Sequence, residues 1–425
     1  MNLERLNERS ACEIKREIAM GRATAEAVVG ACLERIRERD PELGAWAAVD
    51  EELVRSEARE ADPRGSLFGI PVGVKDVIDT AGLPTGMGSP IYDGFRPAKD
   101  AACVAQWRAA SGIVLGKTVT CEFAGPQPAN TRNPHNAAHT PGGSSSGSAA
   151  AVADYMVPVA FGTQTRGSVI RPASYCGVVG FNPSYGIISR DGLKFAAESL
   201  DTIGLFARDV DDIALAFSTY TGRDVAEVQT SYSAPKVAIC LYGFEHAQKE
   251  SAEAVEDAAA RLERAGATLS EFTFTYAFDA LTEACVTVNN VERARATAWE
   301  WNNHPDKLSD RLRRAIEQGL NTPLQDYLSA LRLFEQARLS FDGLLGDIDI
   351  ILTASASGEA PTGLDFTGDP RLQGIWTALH VPTISLPTYK GPNDLPVGIQ
   401  LVGRKYSDEA LLNHAAWAFS ILGKA

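Results

Sequence analysis

The sequence predicts an α/β protein built on a central mixed, mostly parallel β-sheet with helices covering both faces. Three observations lead there. Strand-like apolar runs alternate with runs of helical periodicity through much of the 425 residues, the order expected when helices connect the strands of one sheet. Hydrophobic residues make up 45% and charged residues 22%, so a chain of this length can bury a large core without disulfide or metal staples. No internal repeat and no long linker interrupts the chain. Length alone would allow two or three domains, but residues 1–425 read as one.

The N-terminal helices are expected over 1–60, where Leu3, Leu6, Ile14, Ile18, Ala27, Val28, Cys32 and Ile36 recur at helical spacing and Pro41 breaks the run. Residues 67–78 (LFGIPVGVKDVI) switch to strand character and open a core region spanning about 65–210. Residues 100–111 read as a helix and 113–115 as a short strand ending in Gly116-Lys117. From Gly125 to Ser148, Pro126, Pro128, Pro134, Pro141 and the Gly142-Gly143 pair stop regular structure. A helix over 149–155 and a buried strand over 157–161 follow, then a second loop from Gly162 through Pro172. Downstream, 236–241 and 268–274 read as strands around a helix at 252–265, and 278–340 is mostly helical. Strands at 347–353, 383–386 and 397–402 and a helix over 408–422 close the chain.

The net charge of −14, from 40 Lys+Arg against 54 Asp+Glu, argues against a general nucleic-acid binder, which would present a basic surface. The seven cysteines are odd in number and widely spaced, with no C-x-x-C pair, so neither a zinc site nor a disulfide framework is expected and a reducing cytoplasm fits best. The charged, helical N-terminus does not read as a signal peptide, and no run approaches the ~18 apolar residues of a membrane span.

Three segments point to chemistry. Gly73-Val74-Lys75-Asp76 places a lysine inside an apolar strand. Such a lysine usually lays its stem along the core edge and reaches water with its head. A desolvated lysine instead has a lowered pKa and serves as a neutral base at pH 7. The second segment, PGGSSSGS over 141–148, stands directly before a helix. It reads as a flexible linker or a phosphate cradle, although the Gly-Lys-Ser/Thr ending of a P-loop is missing. Its shortness and strong flanks favour an ordered turn whose N–H groups suit an anion. The third, GTQTRGS over 162–168, follows a buried strand. It reads either as a tight turn or as a loop aiming successive N–H groups at one point, the geometry of an oxyanion hole.

Together the segments offer a nucleophile, a relay hydroxyl, a base and an oxyanion site. A serine hydroxyl is a weak nucleophile and needs an activating base. No G-x-S-x-G elbow occurs, and none of the six histidines (135, 139, 246, 304, 380 and 414) sits in a context typical of a triad. A serine–lysine arrangement is therefore favoured.

With these segments in place, the sequence closely resembles the amidase signature family. The matching text is GIPVGVKDVIDTAGLPTGMGS (69–89), TPGGSSSGSAAAVA (140–153), GTQTRGSVIRPASYCGVVGFNPSYGIISRDGL (162–193) and LPVGIQLVGRKYSDEALL (395–412). The resemblance implies the amidase signature fold, no metal or other cofactor, and a Ser–cis-Ser–Lys triad. Ser168 matches the nucleophile, Ser144, 24 residues before it, the cis-serine after a cis Gly143–Ser144 peptide, and Lys75 the lysine. Ser145 and Gly143 match supporting positions, and Thr165, Arg166, Gly167 and Ser168 the oxyanion loop. In the implied cycle neutral Lys75 draws a proton from Ser144, which draws one from Ser168. Ser168 attacks the amide carbonyl, Ser144 returns the proton to the leaving amine, and water releases the acid. Pocket specificity is expected from a variable segment at about 275–375.

Departures from the family matter as well. Many members carry Asp at the position of Gln164 and Arg at that of Ile170, whereas here the arginine is Arg171. This string resembles a branch typified by malonamidase, in which the shifted arginine binds a substrate carboxylate, and the related carboxybiuret hydrolases also act on small anionic amides. Arg171, Arg166 and Gln164 are accordingly assigned to substrate binding. For Arg171 the competing reading is a salt bridge to an Asp or Glu. The family has glycine where this chain has Arg166. If that residue needs a positive φ, arginine costs on the order of 1 kcal/mol. Arg166 then points to solvent, joins the acyl pocket, or distorts the oxyanion loop.

The expected function is hydrolysis of a small amide bearing a carboxylate, with a small-molecule substrate, no nucleic-acid or membrane partner, and a homodimer left open. One alternative is the glutaminase subunit of a tRNA-dependent amidotransferase, which shares the fold and triad but needs partner chains. Another is a binding homologue whose catalysis Arg166 blocks.

Overall fold

The computed structural model describes residues 5–62, 65–222 and 234–425. Ser10 caps α1 (Ala11–Ala19) in a capping box with Glu13, and Thr24 caps α2 (Ala25–Leu43). The break expected at Pro41 does not occur. Pro41 lies in the last turn, and α2 ends where Gly44 turns left-handed at φ 60°. The Asp40 carboxylate accepts the N–H groups of Ala45 (2.6 Å) and Trp46 (3.2 Å) and swings the chain into a strand, β1 (Trp46–Ala48), inside the stretch expected to be helical throughout. Asp50 then caps α3 (Glu51–Glu60).

The remaining strands are β2 (Pro71–Lys75), β3 (Ile113–Thr118), β4 (Val159–Gln164), β5 (Val179–Asn182), β6 (Thr202–Ala207), β7 (Lys236–Ile239), β8 (Thr268–Glu271), β9 (Ile350–Ala354), β10 (Thr383–Lys390) and β11 (Pro396–Val402). With β1 they form an 11-stranded sheet in the order β1-β3-β2-β4-β6-β5-β10-β11-β9-β7-β8. The sheet is mixed. Parallel pairing occupies two blocks, β3-β2-β4 and β9-β7-β8. The strands between these blocks pair antiparallel, as does the edge strand β1 with β3. Every residue of β2, β3, β4, β5, β6, β9 and β11 is buried, which explains their near-continuous apolar text.

The other helices are α4 (Ala102–Ala109), α5 (Ser146–Ala153), α6 (Ile170–Cys176), α7 (Val210–Thr221), α8 (Lys249–Arg264), α9 (Phe278–Ala296), α10 (Ala298–Asn303), α11 (Asp310–Asn321), α12 (Leu324–Leu345), α13 (Arg371–Ala378) and α14 (Asp408–Leu422). Because β4 runs on to Gln164 and α6 includes Pro172, the loop expected from Gly162 through Pro172 shrinks to 165–169. The small side chains of α5 let it pack against β2, β3 and β4 in the core. A Cβ at Gly147 would come within 2.2 Å of Ala45 O and 2.4 Å of Val119 N, so only glycine permits this approach. Helix α9 packs against α11, α12 and α13. Among the described residues no helix is long and apolar enough to cross a membrane.

Candidate active site

Parallel strands β2 and β4 set the frame. Val74 lies opposite Phe161, so Lys75 at the end of β2 and Thr163 and Gln164 at the end of β4 emerge side by side. This is the carboxyl edge at which α/β sheets hold ligands. Lys75 is fully buried, and its Nζ donates to Ser144 Oγ (2.8 Å), Thr163 Oγ1 (2.7 Å) and Thr163 O (3.5 Å). Burial pushes its pKa down to about 7, against smaller upward pulls from Cys121 and Asp201. Sequence reading missed Thr163, whose role depends on strand register.

The Gly143–Ser144 peptide is cis, as the resemblance implied. The carbonyl of Ser144 accepts the Cys121 N–H at 3.2 Å. Ser145 Oγ donates to Thr163 O and accepts the Thr163 N–H, both at 3.2 Å, tying the serine turn to β4 with one hydroxyl.

The 165–169 loop is clamped at both ends. Thr165 Oγ1 donates to Asp201 Oδ1 at 2.6 Å, while Asp201 Oδ2 accepts the N–H groups of Ala196 (2.6 Å) and Ala197 (3.1 Å). Gln164 Oε1 accepts the N–H groups of Val169 (3.0 Å) and Ile170 (3.1 Å), and Gln164 Nε2 donates to Thr377 Oγ1 at 3.2 Å. This corrects the assignment of Gln164 to substrate binding. The residue is fully buried, does not line the cavity, and braces the start of α6. Between the clamps, the N–H groups of Arg166, Gly167 and Ser168 meet no protein acceptor among the described residues. A Cβ at Gly167 would lie 2.6 Å from Gln373 Oε1, so a larger residue there would have to displace the Gln373 amide. Arg166 is not among the residues with positive φ, and the backbone penalty expected for arginine at this position does not arise.

The loop borders a cavity of about 180 Å³. Ser144, Thr165, Arg166, Gly167, Ser168 and Arg171 form one wall, Asn289, Asn290 and Arg293 of α9 another, and Phe366, Thr367, Gly368 and Pro370 a third. Among the described residues no Asp or Glu lines it. Ser144 and Ser168 share the cavity without a hydrogen bond between them, so the structure joins Lys75 to Ser144 and not Ser144 to Ser168.

Arg171 lies in the first turn of α6 and not in the loop expected to run through Pro172. Its Nε donates to Thr367 O (2.7 Å) and its Nη2 to Gly143 O (2.6 Å), while Nη1 is buried without a partner. Among the described residues no Asp or Glu pairs with it, so the salt-bridge reading is not realised. Burial lowers its pKa, and the charge of Arg166 lowers it further. Sequence reading also missed Arg293. Its Nη1 donates to Phe123 O (3.2 Å) and its Nη2 to Asn289 Oδ1 (3.3 Å), its Nε is buried without a partner, and burial pushes its pKa down to about 10. The i, i+4 pair Asn289/Arg293 on one helix face was the available signal. Among the described residues no group of three or more His, Cys, Asp or Glu side chains is placed to hold a metal ion.

Comparison with known proteins gives a consistent family. Residues 27–412 match the family model described as Amidase. A Glutamyl-tRNA(Gln) amidotransferase subunit from Alkaliphilus metalliredigens is 31% identical over 97% of this chain and 96% of its own. Among solved structures, one described as a vestigial protein complex revealing the evolutionary origins of an s-triazine catabolic enzyme superposes with a TM-score of 0.91 at 26% identity, covering 98% of this chain and 99% of that one. An amidase crystal structure superposes with a TM-score of 0.88 at 28% identity, covering 98% of this chain and 100% of the other.

Proposed function

The chain belongs to the amidase family of amide-hydrolysing enzymes, and we propose that it cleaves the carbon–nitrogen bond of a small amide bearing a carboxylate, through an acyl-enzyme on Ser168. The observation that supports this most is Arg171. It is buried beside the cavity, three residues beyond the nucleophile, with Nη1 lacking any acceptor. A substrate carboxylate would supply that acceptor through charge-assisted hydrogen bonds from Nη1, the nitrogen that the protein leaves open. The cavity volume of about 180 Å³ favours a compact substrate, since a cavity of roughly 150 Å³ accommodates a molecule the size of benzene.

In this mechanism neutral Lys75 takes the Ser144 hydroxyl proton across their 2.8 Å contact while Ser144 takes that of Ser168. Ser168 Oγ bonds to the amide carbon, and the free N–H groups of the loop stabilise the oxyanion. Ser144 returns a proton to the amide nitrogen, the C–N bond breaks, and ammonia or an amine leaves. Water, deprotonated by the same relay, then hydrolyses the ester and restores Ser168. Residues 1–425 act as one amidase domain, and the segment at about 275–375 tunes the pocket through Asn289, Arg293 and Phe366–Pro370. This chemistry lies nearest the malonamidase and carboxybiuret hydrolase branch. The backbone of Arg166 stays outside the left-handed region, which supports an undistorted loop over the inactive homologue.

A second reading, the glutaminase subunit of a tRNA-dependent amidotransferase, draws support from the relative at 31% identity. Glutamine brings an ammonium as well as a carboxylate, and the cavity offers arginines without an acid to receive that ammonium. The small anionic amide is therefore the better reading. An ammonia-release screen over matched amides with and without a carboxylate, glutamine included, tests it. Activity confined to glutamine, with partner subunits co-purifying, favours the second reading.

A further inference from the structure

The cavity is more positive than one carboxylate requires. Arg166, Arg171 and Arg293 all line it, and among the described residues none of the three is paired with a carboxylate. Nearby acids are committed elsewhere. Asp369 accepts Arg371 Nε at 2.8 Å, and Asp201 holds Thr165 and two backbone N–H groups. The half-buried Arg166 makes no hydrogen bond among the described residues, while Arg171 Nη1 and Arg293 Nε are buried without partners. Burial lowers the pKa of all three; Asp201 pulls that of Arg293 back up and Asp369 those of Arg166 and Arg171, while the charge of Arg166 lowers those of Arg171 and Arg293 further.

These cations are also fastened to different parts of the wall. Arg171 is held by Gly143 O and Thr367 O, and Arg293 by Phe123 O and Asn289 Oδ1. A guanidinium offers five N–H donors, so each keeps several for a ligand. With one carboxylate on Arg171, Arg166 and Arg293 would remain without a hydrogen-bonded carboxylate, their charge offset only through space by Asp369 and Asp201, an arrangement that proteins avoid. We infer that the substrate carries two anionic groups, one held by Arg171 and a second received by Arg293 with Arg166, which makes it a dicarboxylated amide. This rests on the carboxylated-amide reading above and narrows it.

The test is calorimetric titration of the full chain with three compact probes that the enzyme cannot consume by this route or turns over slowly: propionamide, propionate and succinate. Succinate is expected to bind about 30-fold more tightly than propionate, the factor for gaining one charged hydrogen-bonded contact. In Arg293→Gln that ratio falls below about threefold, while Arg293→Lys, which keeps the charge, retains part of it. Succinate binding no tighter than propionate in the wild-type chain, with propionate still tighter than propionamide, overturns this inference and leaves the carboxylated-amide reading standing. Propionate binding no tighter than propionamide counts against both. Inorganic phosphate binding more tightly than succinate also overturns the inference, because the cations would then converge on one dianionic group. No detectable succinate binding at about 10 mM, where even a millimolar site saturates, overturns it as well.

Discussion

The pH dependence of turnover follows from the burial of Lys75. The lysine has no exposed surface and three oxygen neighbours, Ser144 Oγ, Thr163 Oγ1 and Thr163 O, none of them charged. Desolvation is the largest influence on it and brings its pKa down to about 7. In the proposed mechanism the working form is the neutral amine, so activity is expected to rise with pH through that value and level off above it. With a pKa of about 7, roughly half of the molecules carry a neutral lysine at pH 7 and about one in a hundred at pH 5. The predicted loss in kcat/KM over that interval is therefore about 50-fold. The assay is steady-state ammonia release from a carboxylated amide whose own acid titrates below about pH 4. The residual rate of Lys75→Ala serves as the control and should show no such limb. A wild-type profile that stays flat down to pH 5 would refute the neutral-lysine base.

Three further outcomes are expected. Asp201 pulls the Lys75 pKa upward, so Asp201→Asn should shift the midpoint of the pH profile to lower pH; an unmoved midpoint would separate Asp201 from the base. Arg171→Ala or Lys should cost about 2 kcal/mol or more in kcat/KM for a carboxylated amide and little for a neutral one, and equal losses on both would make Arg171 a support of the loop. Buried Asp76 lies 3.3 Å from buried Lys117 and accepts the Gly86 N–H at 3.0 Å. Asp76→Asn should therefore lower unfolding free energy by about 3 kcal/mol in urea titration at pH 7, because it strands a buried cation, and a change under about 1 kcal/mol would contradict the pairing's importance.

What was legible in the sequence was what short stretches of chain determine. The closing helix falls at 408–422 as expected, and Lys75, Ser144 and Ser145 come from local motifs whose spacing survives folding. The missed features depend on contacts between distant segments. Strand β1 has only three residues and owes its conformation to Asp40 and to pairing with β3. Pro41 looks like a breaker, yet α2 carries it in its last turn at the cost of one i→i−4 hydrogen bond and ends only at Gly44. Gln164 looks like a substrate ligand because it neighbours the nucleophile loop, but its amide is spent on the N–H groups of Val169 and Ile170 and on Thr377. Thr163 becomes a partner of Lys75 only through the parallel register of β2 and β4. Arg293 reaches the cavity because α9 folds across it, 125 residues beyond Ser168 in the chain.

The central claim is that Ser168 is the nucleophile activated by Lys75 through Ser144. Treating the protein with a serine-directed fluorophosphonate and mapping the modified peptide by mass spectrometry tests it most directly. One adduct is expected, on Ser168, absent in Ser168→Ala and formed at least about 100-fold more slowly in Lys75→Ala, since the members of such a unit act together. An adduct on Ser144 or elsewhere, or undiminished labelling in Lys75→Ala, would contradict it.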